Sequence, residues 1–505
     1  MRTDSWQIGK RAVRGARGVV AAQHAEAAGI GADVLRAGGN AIDAAVATSL
    51  ALGVLEPWMS GLGGGGCMLL RLADGGVHAV DGGMISPRRL DPRAYPLAGG
   101  TAGDLFGWPA VVENRNLHGP LAVAVPGLVD ALRVAHERWG TLPFRELVAP
   151  AIALAEQGFE VDWYATQMVA GAAADLRRYP HAAEQWLPLG LPPVASWTGD
   201  CWTLPLGGLP DTLRQLASDG PRGFYEGELS RRLLADCAEL GVPLAADDLA
   251  SCRARILAPL SASYRSDRVI AMPGPFAGAS LARCLALLED APLAGAGQPA
   301  FTAYARALVQ AYRERLEPDA ATCTSHLSVV DRDGNLVALT QTLLSTFGSK
   351  LLGPRTGLLL NNGVMWFDPR PGRANSLAPG AQPLSNMCPM LGLGARRRFA
   401  LGASGGRRIL PAVLQIASFL IDHGRSLEEA FHQPRLDVSG TDLVTVDDRL
   451  PFDPEAPPGA ATRRLGPRPS PLLFACPTAV AEELVAGWRE GMTEPMQPRA
   501  DAVAE

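Results

Sequence analysis

The sequence predicts an α+β protein built in layers, with sheets that draw strands from both ends of the chain. Two hairpin patterns, near residues 67–80 and 326–342, stand on either side of a long middle stretch. That stretch, 125–320, carries mainly the 3.6-residue apolar spacing of helices, and strand spacing returns from residue 324. At 505 residues, 47% hydrophobic and 19% charged, the chain has apolar content enough for a substantial core.

Each element has a local cause. Residues 20–55 read as two Ala-rich helices, broken at Gly38-Gly39, with Asn40 as N-cap of the second. The apolar runs Cys67–Leu72 and Val77–Val80 flank an Asp74-Gly75-Gly76 turn and predict a hairpin. "LVDALRVAHERWG", "LVAPAIALAEQGF" and "LSRRLLADCAELG" predict helices. "HLSVV" and "LVALTQT", joined by Asp331-Arg332-Asp333-Gly334-Asn335, predict a second hairpin. Residues 408–421 predict a further helix, the Pro-rich stretch 451–471 a loop, and Arg396-Arg397-Arg398 a solvated turn.

Composition excludes several function classes. A net charge of −5 gathers neither nucleic acid nor an anionic membrane. The eight cysteines contain no CxxC and the eight histidines no HExxH, so no metal, no other cofactor and no disulfide framework is expected. The N-terminus lacks an apolar signal region, and the apolar run Ala41–Val54 is interrupted by Asp43 and too short to span a bilayer. A cytoplasmic protein is expected.

Three stretches offer chemistry. Gly61-Leu62-Gly63-Gly64-Gly65-Gly66 satisfies GxGxxG, but a helix precedes it and a strand follows, the reverse of a dinucleotide cradle. Its glycines instead suit close backbone approach. Gly402-Ala403-Ser404-Gly405-Gly406 satisfies GxSxG between a strand and a helix, the setting of a serine nucleophile. Downstream, only His423 and His432 are available, in or just past the same helical region, which is poor triad geometry. The glycine pair also suits an oxyanion, since successive N–H groups at a helix start form an anion nest. In the third stretch, if Val330 faces Leu336, then Thr324 faces Thr342, and cross-strand threonines hydrogen-bond. A one-residue slip would lose that pair. Thr324 is either a strand former or a nucleophile whose base is its own α-amine, freed by a cut after Cys323.

Together "QHAEAAGIGADVLRAGGNAIDAAVA", "GLGGGGCMLL", "AVPGLVDAL", "TSHLSVVDRDGNLVALTQTLLSTFG", "LLLNNGVMWFDP", "QPLSNMCPM" and "GASGGRRI" resemble the γ-glutamyltranspeptidase family of N-terminal nucleophile hydrolases along nearly the whole chain. The resemblance implies a four-layer αββα sandwich with an extra helical region. It also implies a precursor that cuts itself between Cys323 and Thr324 into a large subunit, 1–323, and a small one, 324–505, which remain one intertwined unit. Thr324 would be the nucleophile, Thr342 its hydroxyl partner, and Gly405 and Gly406 the oxyanion hole.

Departures from the family concern the substrate. Where γ-glutamyl enzymes place an Arg that clamps the α-carboxylate, this sequence has Gly83; the acidic residue that holds the α-amine falls on Trp366. A family Asn falls on Leu344 and a Gln or Glu on Gly363; Ser385 is kept, with Asn386 beside it. Each lost charge-assisted hydrogen bond is worth about 1.5–3 kcal/mol. γ-Glutamyl specificity is therefore expected to be lost, leaving a small carboxylate-bearing amide as substrate. Stretches such as "EPWMSGLGGGG" and "MQPRADAVAE" are similar to the oxamate amidohydrolase-like branch, so oxamate is the first expectation. Glutathione hydrolysis or transfer and β-lactam side-chain acylation are alternatives; more remote are a serine hydrolase using Ser404 and an unprocessed, non-enzymatic member. Lys350, Arg355 and Arg408 are candidate cations for a substrate carboxylate.

Overall fold

Period-two alternation assigns the layers. In the computed structural model, which describes residues 8–101, 108–194, 202–315, 324–466 and 473–505, consecutive strand residues enter different cores. Val20, Leu327, Val329, Val337 and Leu339 pack among helices, whereas Val19, Val330, Leu336 and Ala338 pack against a second sheet. That second sheet sends Ala400, Leu391 and Val480 to the same central core, and Phe399, Leu401 and Ala479 to helices on its far side. Three cores between four layers make an αββα sandwich.

Both sheets have seven strands. The first runs in the order Asp501–Ala504, Val19–Ala22, Ser325–Val330, Leu336–Thr342, Gly65–Arg71, Val77–Gly82 and Arg255–Leu257. The second runs Val13–Gly15, Trp488–Thr493, Cys476–Glu483, Arg397–Ser404, Met390–Leu393, Asp267–Ala271 and Leu260–Tyr264. Helices Ala25–Arg36, Ala41–Leu55 and Leu128–Trp139 cover the first sheet; Gly278–Leu288 and Ile409–Ile421 cover the second. Asn40 caps Ala41–Leu55 in a reciprocal box with Asp43, as its position after Gly38-Gly39 predicts. Helix Ala25–Arg36 crosses Ala41–Leu55 closely because Gly31 leaves room for Thr48, whose Oγ1 would lie 2.3 Å from a Cβ there. Phe144–Gln157 and Leu209–Asp219 form part of an extra helical tier packed on Ala41–Leu55.

Four local expectations are corrected. Val19–Ala22 is a strand and not part of the first helix, since four successive buried residues are needed between two neighbouring strands. Leu260–Tyr264 and Asp267–Ala271 form a hairpin inside the stretch read as helical, and Ala461–Leu465, inside the Pro-rich loop, pairs in parallel with Leu443–Asp447. Arg397 and Arg398 do not form a solvated turn. They open strand Arg397–Ser404 opposite Glu483 and Glu482, which pair with them across the ladder. Among the described residues no helix is long and apolar enough to cross a membrane.

Candidate active site

The second hairpin sets the register of the site. Strands Ser325–Val330 and Leu336–Thr342 pair from Val330↔Leu336 to Ser325↔Gln341, so the next pair outward is Thr324 and Thr342. Alternation puts both side chains on the face toward the second sheet, with His326 and Thr340 in the row behind. Thr324 and Thr342 are fully buried, and Thr342 Oγ1 accepts the Leu344 N–H at 2.8 Å. Cys323 lies outside the described residues.

The glycine-rich segment acts by proximity. A Cβ on Gly64 would sit 2.2 Å from the Thr342 carbonyl oxygen, and one on Gly63 2.2 Å from that of Leu359. Asn361 reinforces this wall: its side chain accepts from Ala124 and Gly363 N–H and donates to Gly63 and Ala124 carbonyls, all within 3.0 Å. A buried amide with all four hydrogen-bond positions filled is a rigid joint. Asn362 ties the loop after Thr342 to the segment before it, accepting from Ser345 N–H at 3.0 Å and donating to the Leu117 carbonyl at 2.7 Å.

The second sheet carries the glycine pair expected to form the oxyanion hole. Strand Arg397–Ser404 ends in Gly405 (φ 124°) and Gly406 (φ 69°), which lead through one 3₁₀ turn into helix Ile409–Ile421. Both φ values lie in the region glycine alone adopts without strain, and the N–H groups at such a helix start lack intrahelical acceptors. Ala475 packs against Gly405 so closely that a Cβ would lie 2.9 Å from its Cα. Ser404 is buried and accepts a hydrogen bond from Gln23 Nε2, which also reaches the Cys476 carbonyl. His423 meets Tyr304 and His432 meets Lys10, so neither expected histidine is placed to serve Ser404 as a base. No serine triad forms among the described residues.

The positions expected to line the substrate, Gly83, Leu344 and Trp366, are all crowded. At Gly83 a Cβ would lie 2.1 Å from Gln382 Nε2, and Gln382 in turn bridges Asp81 (2.9 Å) and Arg255 (2.7 Å). Trp366 is buried in the central core together with Met84, Leu344 and Met387. Leu344 holds φ 88°, costly for a branched residue, in a position where Asn would sit more easily. Ser385 and Asn386 are both buried; Ser385 N–H donates to the Pro275 carbonyl and its Oγ accepts from Met387 N–H at 3.2 Å.

The three candidate cations have other contacts. Lys350 Nζ donates to Ser345 Oγ and to the Thr346 and Gly348 carbonyls, clamping the turn after the hairpin. Those three acceptors match the three protons of an ammonium, so a substrate carboxylate would have to displace one. Arg355 pairs with Asp236 and Glu239, and Arg408 lies 3.9 Å from Asp437.

Sequence reasoning missed Gln23, Glu56, His326 and Gln382. Glu56 begins the turn that hydrogen-bonds Leu343 and, through Ser60 Oγ, Ser325 Oγ at 3.2 Å. Its two carboxylate oxygens are buried without a hydrogen-bond partner among the described residues, and burial raises its pKa to about 8. His326 is wholly buried, and burial lowers its pKa to about 3, so the ring is neutral. No local pattern marks these residues; their settings arise only when distant segments meet.

The gamma-glutamyltranspeptidase family profile matches residues 27–320 and 298–457. The chain belongs to this family. It is 35% identical to the "Acylase ACY 1 proenzyme" of Pseudomonas sp. (strain V22), over 88% of this chain and 86% of that one. It is 30% identical to the "Glutathione hydrolase proenzyme" of Escherichia coli (strain K12), covering 84% of this chain and 81% of that one. The solved cephalosporin acylase from Bacillus halodurans shares the fold over 100% of this chain and 99% of that one, with a TM-score of 0.83 at 24% identity. This family member is accordingly an enzyme of the N-terminal nucleophile hydrolase class.

Proposed function

We propose that this enzyme is a self-processing amidohydrolase of the acylase kind, with Thr324 as its nucleophile. The observation that carries the reading is the hairpin register, which sets the buried Thr324 opposite Thr342 on the face toward the strand that ends in Gly405-Gly406. A threonine hydroxyl needs a base, and a cut between Cys323 and Thr324 would supply one in the freed α-amine. The proenzyme names of the two relatives support such a cut, giving a large subunit of residues 1–323 and a small one of 324–505.

The chemistry then runs in two halves. The α-amine takes the proton of Thr324 Oγ1 as the oxygen bonds to the amide carbonyl carbon, and the carbonyl oxygen gains negative charge facing the Gly405 and Gly406 N–H groups. The ammonium returns its proton to the departing amine as the C–N bond breaks, leaving an ester on Thr324. Water, deprotonated by the same amine, attacks the ester carbon; the bond to Thr324 Oγ1 breaks, the ammonium returns its proton to that oxygen, and the acid is released. Thr342 holds the hydroxyl in line.

Gly83, Leu344 and Trp366 offer neither the cation nor the anion that a γ-glutamyl group requires, so the acyl group is one without an α-amino-acid zwitterion. The identity to the ACY 1 proenzymes favours an acylase-type amide, and Ser385, Asn386 and Trp366 would line its acyl site. Oxamate remains the small-substrate reading, supported by the stretches that match that branch. The test is Thr324→Ala. Mass spectrometry should find one uncut chain, and amide hydrolysis across a panel of glutaryl, neutral acyl, oxamate and γ-glutamyl amides should fall by about 10³-fold or more. A cut, fully active Thr324→Ala protein would end this reading.

A further inference from the structure

We infer that His326 is a positioning residue: its ring, seated on the bare backbone of Gly402, fixes the separation between the nucleophile and the oxyanion glycines. The inference rests on the proposed function for its catalytic meaning, although its geometry does not.

His326 lies two residues after Thr324 and ties together the hairpin that carries both threonines. Its Nδ1 lies 2.8 Å from Thr340 Oγ1 on the partner strand, and its Nε2 lies 3.0 Å from Ser328 Oγ on its own. Ser328 Oγ in turn points 3.4 Å to the Thr478 carbonyl of the second sheet. If Ser328 donates there, it can accept from Nε2–H, and Nδ1 then accepts from Thr340; one neutral tautomer satisfies every contact. The ring is a joint between two strands and two sheets.

The other side of the ring meets Gly402. A Cβ on that glycine would lie 2.3 Å from His326 Cε1, 2.5 Å from Nδ1 and 2.6 Å from Nε2. Gly402 is absent from the positive-φ residues, so its glycine identity answers to space and not to backbone conformation. Three residues further on, just past the end of that strand, stands Gly405. Thr324 is thus placed relative to the imidazole by two residues of strand, and Gly405 by three residues from the glycine beneath it. Sheets pack about 10 Å apart, and a ring wedged against main chain fixes that spacing locally. A larger residue at 402, or a smaller one at 326, would change the gap between hydroxyl and amides without touching either.

The test is a size swap. His326→Ala, Gly402→Ala and the double variant are compared with the wild type for kcat and KM on the best amide of the panel, with melting temperature and extent of cleavage recorded. Each single variant should lose about 100-fold in kcat, the cost of roughly 1 Å of misplacement, with KM changed less than about threefold. The double variant should regain at least about tenfold over either single, since the new methyl occupies space the ring vacates. Singles with unchanged kcat, a KM that rises in parallel, or a double no better than its parents would overturn the inference. Crystal structures of the same variants decide it independently of turnover. Gly402→Ala should displace Thr324 from Gly405 relative to wild type, and an unchanged separation would reject the positioning role even if no amide in the panel were cleaved. Should Gly402→Ala fail to fold, the structure of His326→Ala serves the same purpose, with the two residues expected to draw together.

Discussion

The proposed reacting end of this enzyme sits at the end of a hairpin of the first sheet, the proposed acyl wall in the segments that follow its strands, and the two are held in opposite ways. Around Thr324 and Thr342 the neighbours are polar and saturated: Asn361 with four hydrogen bonds, His326 with two, and Gln341 bonded to Ser49 and Ser60. Around Leu344 and Trp366 they are apolar, and at Gly83 the space for a clamping side chain is filled by Gln382, held between Asp81 and Arg255. A buried polar joint loses stability if any partner changes, whereas an apolar wall tolerates exchange of side chains of similar volume. The difference would let one fold keep its reaction while its substrate changes.

Substitutions at the reacting end should have the largest effect. Gly405→Ala forces a side chain into φ 124° and against Ala475, and should lower kcat by about 10²–10³-fold in steady-state kinetics with the protein still cleaved. Charge restored to the wall comes next. Gly83→Arg and Trp366→Asp, combined with Gln382→Ala to clear the space at residue 83, should lower KM for a γ-glutamyl anilide by about tenfold or more, since two charge-assisted contacts return; no change would mean the wall does not select the acyl group. Ser404 tests the border between the two regions. Ser404→Ala should leave kcat within about threefold of wild type, far from the roughly 10⁴-fold loss that follows removal of a nucleophile.

The smallest effect concerns stability. Glu56, with its pKa raised to about 8 by burial against an ordinary value of 4.5, keeps a proton in the folded chain that the unfolded chain gives up. Its contribution is therefore complete below pH 4.5 and disappears as pH rises through 8. Glu56→Gln should flatten this part of the melting-temperature profile and raise the melting temperature at pH 8 by about 1–3 °C. An unchanged slope would show that the carboxyl finds a donor at neutral pH.

Much of the reacting end was legible because local rules determine it. The Asp331–Asn335 turn fixes the hairpin register, and the register aligns Thr324 with Thr342. Gly405-Gly406 lay between a strand and a helix, where only an anion nest or an elbow fits. The wall was half legible: Gly83 and Trp366 stood out as departures, but that Gln382 and Arg255 close over Gly83 depends on segments 127 residues apart in sequence. Lys350 reads in the sequence as an available cation, and only the folded turn shows the three acceptors it also holds. Val19–Ala22 read as helix because its run of small and branched residues fits a fully buried strand equally well.

Each seven-stranded sheet combines pieces from before and after residue 324: Val19–Ala22 is hydrogen-bonded to Ser325–Val330, and Asp267–Ala271 to Met390–Leu393. Once the proposed cut is made, denaturation would release two polypeptides, neither owning a complete sheet. Recovery would then require a second-order encounter of fragments that formed their interface only as one molecule. The mature enzyme would owe its lifetime to a slow rate of coming apart, and would keep no route home after losing its shape.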